Sequence, residues 1–153
     1  IACNNSSFKF TTVYGPTRSN LKDSFFQELI NEKPAPGTRW LLADDFNQIY
    51  RASDKNRANS NRSRMTRFRN TLNTCELKEI HLQNRKFTWS NEQGAPTLSK
   101  LDYFSAMKSG TSILAIICCM PSPRPFLTTA LSYLLMTYGR RRLSVSVFRI
   151  FGS

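Results

Sequence analysis

The chain has 153 residues, long enough for one domain of ordinary size and short for two. Its 22 Lys and Arg against 10 Asp and Glu leave a formal net charge of +12, which favours a polyanionic partner, nucleic acid first and an anionic membrane surface second. No apolar run reaches the roughly 18 residues that span a bilayer, and the adjacent Cys118 and Cys119 with the single histidine, His81, make no metal-thiolate pattern.

Phe8 to Tyr14 alternates in part, with Phe8, Phe10, Thr12 and Tyr14 on one face, and reads as a strand ended by Gly15-Pro16. Ser19 or Asn20 can cap a helix near 21–31, whose face carries Leu21, Phe25, Phe26, Leu29 and Ile30. Pro34 to Gly37 is a loop, and Trp40 to Ala43 is an apolar run that suits a buried strand. Arg51 to Arg64 is polar and charged, hence a loop. A second helix near 62–74 follows, with Met65, Phe68 and Leu72 at spacings of three and four. Leu77, Ile80 and Leu82 suit a short strand or turn. Phe87 to Ser90 is a strand by composition, Gly94 to Pro96 a turn, and Leu98 to Phe104 a further strand. Strands alternating with helices argue an α/β or α+β layered domain. Trp89 is expected in the core, with a base-stacking platform as the alternative.

Charge is unevenly spread. Residues 1–103 hold 16 basic and 10 acidic side chains; residues 104–153 hold 6 basic and none acidic. Asp102 is the last acid. The expected division is therefore a partial domain over 1–104 and a basic, apolar, poorly ordered tail over 105–153. The chain opens on Ile1 with no Met and no secretory signal. We read an incomplete N-terminus and reduced thiols in an intracellular setting, nucleus or cytoplasm.

The strongest local signal for chemistry is Trp40-Leu41-Leu42-Ala43-Asp44-Asp45-Phe46-Asn47. An apolar strand delivers Asp45 and Asn47 at its end, and alternation puts them on one face. A carboxylate and a carboxamide there can hold a hydrated Mg²⁺ and activate water. Spacing alone favours a plainer account, in which both residues are turn formers closing a strand. Seven basic residues crowd Arg51 to Arg69, among them Arg62, Arg64 and Arg67. They could follow a DNA backbone, or they could be a solvated loop and helix face.

Four segments occur in one order: Val13-Tyr14-Gly15-Pro16-Thr17, Asp45-Phe46-Asn47, Phe87-Thr88-Trp89-Ser90-Asn91 and Lys100-Leu101-Asp102. The series resembles the endonuclease/exonuclease/phosphatase (DNase I-like) superfamily, in its plant LINE-type retrotransposon branch. Ala52 to Lys55 and the Met65/Phe68/Leu72 helix look similar too, so the likeness runs from about Phe8 to Phe104. Each segment is weak alone; the ordered set is specific.

The resemblance implies an incomplete four-layer DNase I-like α/β sandwich and Mg²⁺-dependent cleavage of DNA phosphodiester bonds. Asp45 would bind metal and position or deprotonate the attacking water. Asn47 would hydrogen-bond the phosphate, and Tyr14 would contact it. Asp102 would orient a catalytic histidine from behind. DNA is the implied partner, Mg²⁺ the only implied cofactor, and no small-molecule cofactor is expected.

Departures from the family pattern matter as much. Asp44 stands where the family has Gly, adding a like charge and a β-carbon. The family's metal-binding Glu would lie upstream of Ile1. Its closing Ser-Asp-His does not occur in these residues, and His81 is wrongly placed to substitute. Reading codons from the third base permits Phe-Cys-Asn-Glu-Glu-Trp-Asp over 104–111 and Ser-Asp-His-Cys-Pro over 126–131, which suggests a frameshift near Tyr103. The expectation is a degenerate endonuclease fragment, inactive by itself. Two other classes stay open: a noncatalytic basic nucleic-acid-binding module, and a small membrane-associated protein using Ile113 to Met136.

Overall fold

The computed structural model of the chain describes residues 8–80 and 86–107, and the backbone of 143–149. Strand β1 (Phe8–Tyr14) leads through a 3-10 turn (Ser19–Leu21) into helix α1 (Lys22–Asn31), then strand β2 (Arg39–Asp45). Helix α2 (Arg62–Thr74) and strand β3 (Leu77–Ile80) follow. Strands β4 (Trp89–Ser90), β5 (Leu98–Ser99), β6 (Asp102–Met107) and β7 (Leu143–Arg149) complete the described elements.

The described residues form a mixed α/β arrangement of two helices and two sheets. The larger sheet has the order β3-β6-β2-β1-β7, and β4 pairs with β5 in a two-stranded sheet. β1 runs parallel to β2 and to β7, whereas β6 is antiparallel to β2 and β3. Parallel β1 and β2 cannot be joined by a tight turn, and α1 supplies the crossover between them.

The strand period of two decides which side chains meet the helices. Trp40 and Leu42 of β2 join Val13, Leu77 and Tyr103 beneath Phe25, Phe26 and Leu29 of α1 and Phe68 and Leu72 of α2. Leu41 and Ala43 alternate with them and are buried as well. β2 is therefore apolar on both faces, as its unbroken run Trp40 to Ala43 requires. Phe68 is the hub of the aromatic cluster, with ring centroids 5.5 Å from Phe46, 5.8 Å from Tyr103, 6.0 Å from Phe26 and 6.1 Å from Tyr50. Buried Trp40 satisfies its indole N–H by donating to Thr11 Oγ1 at 2.9 Å.

The second helix lies where its period puts it, capped by Asn61, whose side chain accepts from Arg64 N at 3.0 Å. Other elements differ from expectation. Residues 19–21 form a 3-10 turn, so α1 starts at Lys22 and has no side-chain cap from Ser19 or Asn20. The stretch from Leu98 to Phe104 is divided into β5 and β6, because Lys100 N turns aside to Asp54 O at 2.7 Å. Trp89 is not in the core; it is 47% exposed, since β4 sits in the small second sheet.

The change in composition after residue 104 falls inside β6, where Ser105 and Ala106 are buried. β7 lies along β1 from Phe8↔Leu143 to Tyr14↔Arg149. Its alternation of Leu143, Val145 and Val147 with Ser144 and Ser146 is strand-like, although it belongs to the acid-free segment where no strand was expected. Residues 108–142 lie outside the described residues, and with them Ile113 to Met136, Cys118, Cys119 and Arg140 to Arg142; so do Cys3, His81 and Leu82. Cys75 is buried and free, its thiol pushed up to about 11 by burial. Among the described residues, no helix is long and apolar enough to cross a membrane.

Candidate functional site

Three strand ends place three of the expected residues side by side. Tyr14 closes β1 and is the register partner of Asp45, which closes β2. Asp45 is in turn the register partner of Asp102, which opens β6. Tyr14, Asp45 and Asp102 therefore form one row across the sheet. Tyr14 is 52% exposed, and both carboxylates are half-buried.

The turn after β2 adds Asn47. Phe46 plugs the core, and its N–H donates to Leu101 O at 3.0 Å, which fastens the turn to the start of β6. Asn47 then takes a left-handed conformation (φ 49°), which Asn tolerates better than most residues. Its backbone N–H donates to Asp45 Oδ1 at 2.7 Å, an Asx turn. Its carboxamide Nδ2 donates to Gly15 O at 2.8 Å and to Asp45 Oδ2 at 3.2 Å. Both carboxylate oxygens of Asp45 are thus held by Asn47. Asn47 acts on Asp45 here, and the amide hydrogens expected to meet a phosphate are already engaged.

Gly15 is dictated by close approach. Its N–H donates to Asp45 O at 2.8 Å, and a β-carbon there would stand 2.0 Å from the Phe46 carbonyl oxygen. Only glycine lets the end of β1 press against the turn that carries Asn47. Thr88 does comparable work for Asp102: its Oγ1 accepts from Leu101 N at 3.0 Å and Asp102 N at 3.2 Å.

Burial raises the Asp45 carboxyl to about 6; the Asn47 N–H opposes this, and the charges of Asp102 and Asp44 add to it. Asp44 is raised as well, by desolvation of its inner part and by the charge of Asp102, although much of its side chain reaches solvent. Asp44 also has a φ of 105°, in the region that glycine favours. Its β-carbon is therefore in conflict with the backbone.

The charges of Asp45 and Asp102 repel, and Asp45 is a hard oxygen donor of the kind that suits Mg²⁺ as part of a set. Among the described residues, no group of three or more His, Cys, Asp or Glu could hold a metal ion. Asp45 would supply one donor, and further ones would have to come from elsewhere.

The three arginines divide. Arg62 is exposed near the start of α2, and Arg64 is partly buried. Arg67 is exposed but bound by Asp23 of α1, Nη1 to Oδ1 at 2.5 Å. Arg64 reaches the site electrostatically through Lys22, a residue the sequence reading passed over. Lys22 is 8% exposed and donates from Nζ to Asn47 O at 2.9 Å. Burial and then Arg64 lower its pKa to about 8, against the pull of Asp45. The signal was available: Lys22, Phe25, Phe26 and Leu29 follow the helical spacing of a buried face, with a lysine in the first place.

Neither a protein-family model nor a curated protein matches this chain.

Proposed function

We propose that the chain carries part of the machinery of a Mg²⁺-dependent, phosphodiester-cleaving DNA endonuclease of retrotransposon origin, and that by itself it cleaves little or no DNA. The larger sheet and its two helices would be part of a DNase I-like four-layer sandwich. The observation that supports this reading is the row Tyr14–Asp45–Asp102 across three strand ends, with Asn47 folded onto Asp45. The ordered motifs require that juxtaposition, and unrelated strand-end turns do not.

In this reading Asp45 would help to hold a Mg²⁺, which would supply polarisation of the phosphate and a lower pKa for the attacking water. Asp45, held in one orientation by Asn47, receives or directs the water's proton. Exposed Tyr14 donates its phenol to a phosphate oxygen. Asp102, fixed by Thr88, orients an imidazole, which these 153 residues do not provide in a Ser-Asp-His sequence. Positive charge from Arg62 and Arg64 draws in the DNA backbone.

The test is plasmid nicking with Mg²⁺, run beside Asp45→Ala, with DNA binding and the Asp45 ¹³C carboxyl shift followed in parallel. The expected result is salt-dependent binding, a Mg²⁺-dependent shift at Asp45 and nicking at background. Nicking that disappears in Asp45→Ala overturns the inactivity. A chain that neither binds DNA nor responds to Mg²⁺ at Asp45 overturns the endonuclease assignment.

A further inference from the structure

We propose that Lys22 is the positioning residue of the Asp45–Asn47 turn, its ammonium gripping the Asn47 carbonyl so that the Asn47 carboxamide stays folded onto Gly15 and Asp45. The inference rests on the reading of this turn as a phosphodiester-cleaving site and identifies the residue outside the motifs that keeps it in shape.

Geometry carries the case. A left-handed residue just beyond a strand turns its carbonyl away from the ladder, and at φ 49° Asn47, in the turn after β2, is such a residue. A partly buried carbonyl turned from the ladder needs a donor, and Lys22 Nζ supplies one at 2.9 Å. From the same residue, Asn47 N and Nδ2 make three further hydrogen bonds, two to Asp45 and one to Gly15. The residue whose carbonyl Lys22 anchors is thus the one on which the orientation of Asp45 depends.

A lysine in this place is otherwise hard to explain. Position 22 shares the buried face of α1 with Phe25, Phe26 and Leu29, where Leu or Met would fit the helical period without desolvating a charge. The ammonium lies within electrostatic range of Arg64, which repels it, and of Asp45, which attracts it. Its charge therefore faces the site rather than the core. A side chain that only filled space would need neither the charge nor the hydrogen bond.

The experiment compares the full chain with Lys22→Met, which keeps length and volume, and Lys22→Arg, which keeps the cation. Hydrogen exchange and ¹⁵N–¹H shifts are followed at Asn47 N, at Asn47 Nδ2 and, as a reference, at Leu41 and Leu42 N in the core of β2. Losing one charge-assisted bond should speed exchange at Asn47 by about tenfold or more in Lys22→Met. Leu41 and Leu42 should hardly change, and Lys22→Arg should restore most of the protection. If Lys22→Met does not fold, Lys22→Gln is used, and its shorter arm should give the same local loss.

Unchanged exchange at Asn47 overturns the proposal. So does acceleration at Asn47 that merely matches Leu41 and Leu42, because that is a loss of global stability. None of these signals needs DNA or metal. A response at Asn47 in a chain that does not bind DNA would leave the Lys22 contact standing while the endonuclease reading fell.

Discussion

Asp45 and Asp102 stand directly opposite each other on the antiparallel strands β2 and β6. Like charges at opposed positions destabilise a sheet, so this pairing costs fold stability. It also fixes a pH dependence. The Asp45 carboxyl lies at about 6 in the folded chain against 3.8 ordinarily, so the folded chain keeps a proton that the unfolded chain releases between those values. Stability from this group is therefore greatest below 3.8 and falls as pH rises to about 6, remaining low above. Asp45→Asn should stabilise the chain by about 1–2 kcal/mol at pH 8, solvent screening included, and by nothing at pH 3.5. Urea unfolding at both pH values measures this. Equal effects at the two would mean that Asp45 is not the titrating group.

Asp44→Gly should stabilise the chain. The φ of 105° at Asp44 forces its β-carbon against the backbone, and glycine removes that conflict, for a gain of about 1–2 kcal/mol. The same change removes one of the charges acting on Asp45, so the Asp45 carboxyl should fall below about 6 in a ¹³C titration. A variant that is less stable than the natural chain would show that Asp44 contributes contacts outweighing its backbone strain.

Gly15→Ala should act in the opposite direction. A methyl group 2.0 Å from the Phe46 carbonyl oxygen cannot be accommodated unless β1 and the turn after β2 separate. Overpacking of this kind costs about 1–3 kcal/mol, and backbone is less able to yield than a side-chain tip. The Gly15 N to Asp45 O and Asn47 Nδ2 to Gly15 O bonds should weaken with it. Thermal unfolding and the Asn47 side-chain amide shifts would show both effects; an unchanged midpoint would refute the close approach.

Much of this was legible in the sequence, for identifiable reasons. β2 announced itself because it is apolar on both faces, and α2 because Met65, Phe68 and Leu72 repeat at helical spacing. The meeting of Tyr14, Asp45 and Asn47 could be anticipated from the order of short motifs. Periodicity alone could not bring β6 against β2, since that contact depends on long-range pairing. Lys22 escaped because a charged residue is left out of an apolar pattern even when it occupies a core position. Trp89 was assigned to the core by side-chain type, whereas its strand belongs to the small β4–β5 sheet and leaves it exposed. β7 was missed because the absence of acids outweighed the alternation of Leu143, Val145 and Val147.

Exposed Trp89 now supports a different expectation. It follows Thr88, whose hydroxyl holds Asp102, so an aromatic surface lies in the chain segment that also fixes the site. If single-stranded DNA is bound there, Trp89→Ala should weaken binding by about 1–3 kcal/mol, the worth of one stacked base. The melting temperature should barely change, since an exposed side chain contributes little to the core. Fluorescence of Trp89 on adding oligonucleotide, read in a Trp40→Phe background, provides the direct check. A quench absent from that variant, or a large fall in melting temperature in Trp89→Ala, would return the residue to a structural role.

The arginines of α2 should not be equal in DNA binding, and the structure ranks them. A phosphate contact releases condensed counterions, so each one adds about 0.9 to the slope of log affinity against log salt on duplex DNA. Arg62 is exposed at the start of the helix and makes no ion pair with an acid among the described residues. Arg64 is partly buried but lies within electrostatic range of Lys22, on the side of the helix that leads to Asn47 and Asp45. Arg67 already has a partner in Asp23, across the contact between α2 and α1. To reach a phosphate it must leave that carboxylate, and the exposed bridge it loses offsets part of the gain. Arg62→Ala and Arg64→Ala should each lower the salt slope by close to one contact, while Arg67→Ala should lower it by clearly less. Asp23→Ala should release Arg67 and raise the slope. Affinities measured over a range of salt for the four variants settle the ranking. Equal losses for all three arginines, with no gain from Asp23→Ala, would mean that DNA meets only the diffuse charge of the chain and does not dock along this helix toward the strand-end site.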